Sequence, residues 1–235
     1  MAGKVYCVAL GALLGMLMPC VSASQTFALD STNGLQPHDV KVEAVTYQGR
    51  KSVRVVPAVS AEAELAAAKN AEGGGVVLLQ GSSFHNGTIE VDVAGKPRTG
   101  AVADARGFVG LAFRVSSDGS SYECFYIRPT NGRADDQLRR NHSTQYISMP
   151  DYPWSKLRKE SPGQYESYVD LAPSEWTKIK IEVSDVKGRL YVNDSTQPAL
   201  IVNDLKRGDS QGSVALWIGM GTEAYFANLR LSDAK

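Results

Sequence analysis

The chain has 235 residues, and its 25 Lys and Arg balance 25 Asp and Glu. That balance argues against a dedicated nucleic-acid binder, which presents a net basic surface. Apolar residues make up 43% of the chain, enough for one sizeable core, and the only long apolar run is at the amino terminus.

Residues 1–23 read as an export leader. Lys4 supplies a positive start, VALGALLGMLM an apolar middle, and Val21-Ser22-Ala23 a small-residue cleavage pattern. The mature chain is therefore expected to begin at Ser24, to form one domain over 24–235, and to be secreted or periplasmic. No membrane insertion of the mature chain is expected, and lipid attachment at Cys20 is disfavoured by Pro19 where processing needs a small residue. Cys7 and Cys20 fall in the leader, which leaves Cys124 alone and without a disulfide partner. Cys124 lies in YECFYI, where alternation predicts a small buried hydrophobe rather than a nucleophile.

Strand patterns then run almost to the end. VKVEAVTYQGRKSVRVVPA reads as two strands around Gln48-Gly49-Arg50, because β-branched and polar residues alternate on both sides. SAEAELAAAKNAE, residues 60–72, predicts one short surface helix, stopped by Gly73-Gly74-Gly75. GVVLLQ, GTIEVDVAG, FVGLAFRVS, YECFYIRP, TQYISM, YESYVDL, WTKIKIEVS, GRLYVND, PALIVNDL, SVALWIG and AYFANLRLS follow, divided by turn signals such as Asp118-Gly119 and Lys187-Gly188. About a dozen short strands in one domain predict an all-β fold of two packed antiparallel sheets. Residues 150–168, rich in Pro and aromatics, read as a long loop over one sheet face. Trp176 and Trp217 open or fill strands and are expected in the core.

GFVGLAFRV, YECFYIRPTNGRADDQLRRNHSTQYISMPDYPW, PGQYESYVDL, EWTKIKIEV, PALIVNDLK and GSVALWIGMGTEAYFANLRL together resemble the concanavalin A-like lectin/glucanase superfamily. Within it they are similar to bacterial secreted laminin-G-like and 3-keto-disaccharide hydrolase-like domains. The resemblance implies a two-sheet antiparallel jelly-roll sandwich that binds carbohydrate on its concave face and loops. It leaves three readings open: a carbohydrate-binding domain, a hydrolase or lyase acting on a modified disaccharide, and a non-catalytic envelope module that contacts protein.

Retaining glucanases of that superfamily carry Glu-x-Asp-x-x-Glu, because they need two carboxyls about 5 Å apart across the scissile bond. Here Glu90 and Asp92 stand in GTIEVDVAG, and the third position is Gly95. The motif is incomplete, so catalytic residues are not assigned and solvent-facing acids on a strand account for the pair. His38, His85 and His142 fall in no metal-ligand spacing, and no cofactor is expected. Asp135 with Asp136, or Asn203 with Asp204, are the loop groups that would hold calcium; solvated turn acids account for them more simply.

Residues 128–154, RPTNGRADDQLRRNHSTQYISMPDYPW, gather planar hydrogen-bonding groups and aromatics in one stretch. A sugar presents vicinal hydroxyls and flat C–H faces, so its site needs multi-donor side chains and rings. Arg128, Asn131, Arg133, Asp136, Arg140, His142 and Gln145 fit the first role; Tyr126, Tyr146, Tyr152 and Trp154 fit the second. In YECFYIRP, alternation puts Glu123, Phe125 and Ile127 toward the core. Tyr126 and Arg128 are then expected to face outward into a groove, with Arg114 as a partner from the neighbouring strand.

Overall fold

The structure, a computed structural model, describes residues 1, 24–67, 74–103 and 105–234. Apart from Met1, the expected leader and its cleavage pattern lie outside the described residues, as do 68–73 of the predicted helix. In chain order the first half carries β1 (Ser24–Phe27), β2 (Leu35–His38), β3 (Val40–Tyr47), β4 (Arg50–Pro57), α1 (Ala61–Ala67), β5 (Gly74–Leu79), β6 (Gly87–Pro97), β7 (Val109–Val115) and β8 (Tyr122–Ile127). The second half carries α2 (Gln137–Asn141), β9 (Thr144–Met149), α3 (Trp154–Glu160), β10 (Glu166–Ser167), β11 (Thr177–Ser184), β12 (Lys187–Val192), β13 (Leu200–Val202), β14 (Ser213–Gly219) and β15 (Thr222–Asp233).

These strands form two antiparallel sheets packed as a jelly-roll sandwich. One runs β13-β12-β11-β6-β15-β4-β3, with β1 added beside β15 to make eight strands; the other runs β10-β9-β8-β7-β14-β5-β2 and has seven. Alternation writes the eight-stranded sheet plainly: Ile179, Ile181 and Val183 of TKIKIEVS are buried while Lys178, Lys180 and Glu182 face out. The β3–β4 hairpin closes where expected. Tyr47 pairs with Arg50, and Gln48 and Gly49 between them have φ of 47° and 76°, the positive pair that a two-residue turn with the strands' own twist requires.

The seven-stranded sheet reads differently, since β7 and β8 are buried at every position. Phe125 faces the opposite sheet, where its ring meets Gly188 of β12, and it stacks on Phe113 of the neighbouring strand β7. On the reverse face Tyr126, Trp217 and Phe108 form a second aromatic layer. Trp217 is thus buried as expected, but on the outward face rather than between the sheets. Trp176 departs from expectation, being half-buried on the outward face of the eight-stranded sheet against Tyr47 and Arg50.

Helices are also more numerous than the single one expected. α1 covers part of the predicted segment, α3 falls within residues 150–168, read as a long loop, and α2 lies ahead of it in the polar stretch before β9. Asp136 supplies the start signal of α2, its carboxylate accepting from the Arg139 N–H at 2.8 Å. Of YESYVDL only Glu166–Ser167 pairs as strand. Among the described residues no helix is long and apolar enough to cross a membrane.

The outward aromatic layer depends on Gly110. It lies opposite both Tyr126 and Trp217 in register, so the two rings close over a position with no side chain and stack at 4.6 Å. A methyl there would fall within van der Waals contact of the Phe125 carbonyl oxygen and the Tyr126 Cα, both backbone. Gly110→Ala is therefore expected to lower unfolding free energy in urea titrations by about 1–3 kcal/mol, as an overpacking change that cannot relax. A variant as stable as the native chain would show that the two rings do not close over this strand as described.

Candidate functional site

The cluster foreseen in residues 126–154 forms at the β9–β10 edge of the seven-stranded sheet, and its centre is a residue the sequence did not single out. Glu166 is 7% exposed and sits opposite Gln145 in register. Its carboxylate accepts from Arg158 through Nη2 at 2.7 Å and Nε at 3.1 and 3.2 Å. His142 Nε2 lies 3.2 Å from Oε1, and Arg128 Nη1 lies 3.8 Å from Oε2, the oxygen that Arg158 Nη2 reaches. A carboxylate this deep is tolerable only with such partners, because an isolated buried charge costs several kcal/mol.

Arg128 ties the floor together. It is 4% exposed, donates to Tyr126 Oη and Gln145 Oε1 at 3.0 Å each, and lies over the rings of Phe108 and Tyr126. Its Nη1 also donates to the His142 carbonyl at 3.1 Å, which Asn131 Nδ2 reaches at 3.0 Å. The loop carrying His142 is thereby pinned from two sides. Gln145 spends its amide N–H groups on the carbonyls of Tyr146 and Tyr165. Burial pushes the Tyr126 hydroxyl pKa up, so Tyr126 stays protonated at neutral pH.

At the rim, His142, Arg158 and Trp154 are half-buried and reach solvent. The Arg158 guanidinium stands 4.7 Å from the centre of the Trp154 ring. Further out, Arg140 donates to the Tyr168 hydroxyl at 2.9 Å and Arg133 forms a bidentate pair with Asp170 at 2.8 and 3.0 Å, both in exposed positions. The structure thus brings Tyr126, Arg128, Asn131, His142, Gln145 and Trp154 together around Glu166, with Arg140 and Arg133 on the periphery.

Arg114 and Tyr146 lie elsewhere. Arg114 adopts φ of 52° where β14 slips register against β7, and this bulge turns its side chain out of the expected groove. It is 1% exposed and donates to the carbonyls of His85, Asp185 and Gly208 and to Asn86 Oδ1, clamping three loops. Tyr146 pairs opposite Phe125, on the inner face, and donates to Glu123. Desolvation raises the Glu123 pKa and lowers that of Arg114. The expectation that Tyr126 and Arg128 line an open groove is also revised: both are on the outward face, as alternation required, but both are buried.

Glu123 and Glu166 lie on opposite faces of their sheet, so the two do not face one substrate as an acid and a nucleophile would. Glu90 and Asp92 lie on the other sheet, beside Lys178 and Arg50. Among the described residues no group of three or more His, Cys, Asp and Glu side chains could hold a metal ion. Asp136 caps α2, and Asp204 accepts from Tyr165 and Lys206 at 2.6 Å each.

Neither a family model nor a curated protein sequence matches the chain. Solved structures do resemble it. The carbohydrate binding module CBM66 from Bacillus subtilis superposes with a TM-score of 0.55 at 14% identity, covering 85% of this chain and 96% of that one. A B. subtilis protein of unknown function with a galectin-like fold gives 0.57 at 10% identity, covering 91% and 98%. A putative glycosyl hydrolase from Parabacteroides distasonis gives 0.55 at 9% identity, covering 89% and 100%. The chain shares with these structures the two-sheet antiparallel jelly-roll fold that the resemblance implied.

Desolvation lowers the His142 pKa below the ordinary 6.5, with Glu166 opposing and Arg158 and Arg128 adding to the shift. The unfolded chain therefore takes up this proton first as pH falls. The contribution of neutral His142 is intact above about pH 6.5 and is lost as pH drops toward the folded value. Denaturant titrations between about pH 7 and 5 should show stability falling with a slope that His142→Asn reduces. An NMR titration midpoint for His142 at or above 6.5 would contradict the assignment.

Proposed function

We propose that the protein is an exported carbohydrate-binding domain that takes a glycan at the β9–β10 edge of the seven-stranded sheet. The observation that carries this reading is the rim itself: a ring, an imidazole and a guanidinium, Trp154, His142 and Arg158, held around one buried carboxylate. An indole offers the apolar face that sugar C–H groups need, and fixed planar donors suit vicinal hydroxyls. Preorganisation matters here because a weakly hydrophobic ligand cannot offset the entropy of ordering its own site. Arg140 with Tyr168 and Arg133 with Asp170 would extend contacts along the chain of the glycan.

The solved structures described as a carbohydrate binding module and a putative glycosyl hydrolase support this reading by fold analogy. Binding rather than hydrolysis is favoured by the way Glu166 is committed. Its oxygens already accept from Arg158 and face His142 and Arg128, which suits holding a loop better than trading protons with a substrate. Export to the cell exterior or periplasm, with a mature chain from Ser24, completes the proposal.

A glycan array probed with residues 24–235, with and without EDTA, tests it and reads calcium dependence at once. On the best glycan, Trp154→Ala is expected to weaken binding by about 1–3 kcal/mol with a modest loss of stability. Arg128→Ala is expected to lower stability by about 3 kcal/mol, because it strips a buried carboxylate of a partner. Binding by Trp154→Ala at native affinity would remove this edge as the site.

A further inference from the structure

The outward face of the eight-stranded sheet, on the far side of the sandwich from the proposed site, carries a hollow of about 210 Å³ between β6, β11, β12 and the turn after β12. Its floor is the Tyr191 ring, with the Lys180 ammonium 4.0 Å from the ring centre and the Tyr191 hydroxyl donating to Glu182 at 2.8 Å. Its wall is Lys178, 2.8 Å from Asp194 and 3.7 Å from Glu90. Ser195 and Thr196 complete the rim with hydroxyls. The turn is firmly placed, since the Asn193 N–H donates to the Lys178 carbonyl at 2.9 Å and the Lys178 N–H to Asn193 Oδ1 at 3.2 Å. Positive φ at Asn193 and Asp194 folds it back over the sheet.

This face continues beyond the hollow. Lys178 lies opposite Asp92, and Asp92 pairs with Arg50 at 2.7 Å and accepts from Asn228 at 2.8 Å. Arg50 stands 4.6 Å from the centre of the Trp176 ring, and Tyr47 meets the same indole edge-on. Trp176 and Lys178 share the outward face two residues apart, about 7 Å along the strand. The small Ala94 lies opposite Tyr225 in the row where Tyr47 stacks on Tyr225 at 3.6 Å. A half-exposed aromatic and guanidinium patch therefore adjoins a polar hollow.

We infer that this face is a second binding site, for a neutral polyhydroxylated chain, with one ring in the hollow and its neighbour over the Arg50–Trp176 pair. Size sets the first limit: 210 Å³ falls below a drug-sized pocket and holds a single small ring. Charge sets the second. Lys178 and Lys180 each already face a carboxylate, and Glu90, Asp92 and Asp194 would repel an anion. Alternating donors and acceptors without net charge match hydroxyls, which both give and accept hydrogen bonds. This inference stands apart from the site proposed above, which draws on none of these residues.

The test is amide chemical-shift mapping of the folded domain with cellohexaose, laminarihexaose and mannohexaose, and with hexagalacturonate as the anionic control, each at about 10 mM to reach millimolar dissociation constants. At least one neutral hexasaccharide is expected to shift the amides of residues 178, 194–196 and 50. Lys178→Met removes an exposed charge without touching the core and should weaken that response about tenfold; Trp154→Ala should leave it intact. No response at these amides from any neutral probe would overturn the inference, even if amides around His142 respond. So would a response to hexagalacturonate alone, or one that Trp154→Ala abolishes.

Discussion

A carboxylate shielded from water must be paired, and the seven-stranded sheet has to meet that demand on both of its faces. β7 and β8 are buried throughout, so any charge on them or beside them is committed to a specific partner. On the inner face Glu123 accepts from Tyr146 and from the Arg207 N–H, near the Arg114 clamp. On the outward face Glu166 is met by Arg158, His142 and Arg128. Each knot joins segments far apart in sequence, and each fixes a loop that strand hydrogen bonds do not reach.

The two knots have different consequences. The inner one is closed: Arg114, with no side-chain exposure, donates to backbone carbonyls and Asn86 and lies 3.6 Å from the Asp209 carboxylate. It holds one end of the sandwich shut. The outward knot is open on one side, because Arg158 and His142 keep part of their surface in solvent beside Trp154. The same electrostatic requirement therefore yields a structural clamp in one place and a surface of oriented donors in the other. The proposed binding role rests on the one that reaches solvent.

Much of the fold was legible because a strand with one wet face writes its geometry into alternation. TKIKIEVS and the Gln48-Gly49 hairpin are cases where local pattern and final structure agree. β1 and β2 were not legible: SQTF and LQPH are four residues long, mostly exposed, and LQPH contains a proline, tolerated at the edge of a sheet. α3 was hidden because WSKLRKE buries only Leu157, leaving no apolar period to read. For the candidate site, alternation put Tyr126 and Arg128 on the right face, but burial on that face depends on tertiary cover that no strand pattern records. Arg114 left the cluster through a bulge, a one-residue event invisible to a period-two reading. Glu166 was missed because its strand is two residues long and its importance lies wholly in partners at 128, 142 and 158.

The central claim is that Glu166 organises the solvent-facing edge and not the sandwich. Hydrogen–deuterium exchange on Glu166→Gln measures this most directly, because it reports local opening segment by segment. With the charge gone, α3 and residues 136–143 should exchange faster, while β6, β7, β8 and β14 keep their native protection. Unchanged protection in α3 and 136–143, or a uniform loss across both sheets, would contradict the account.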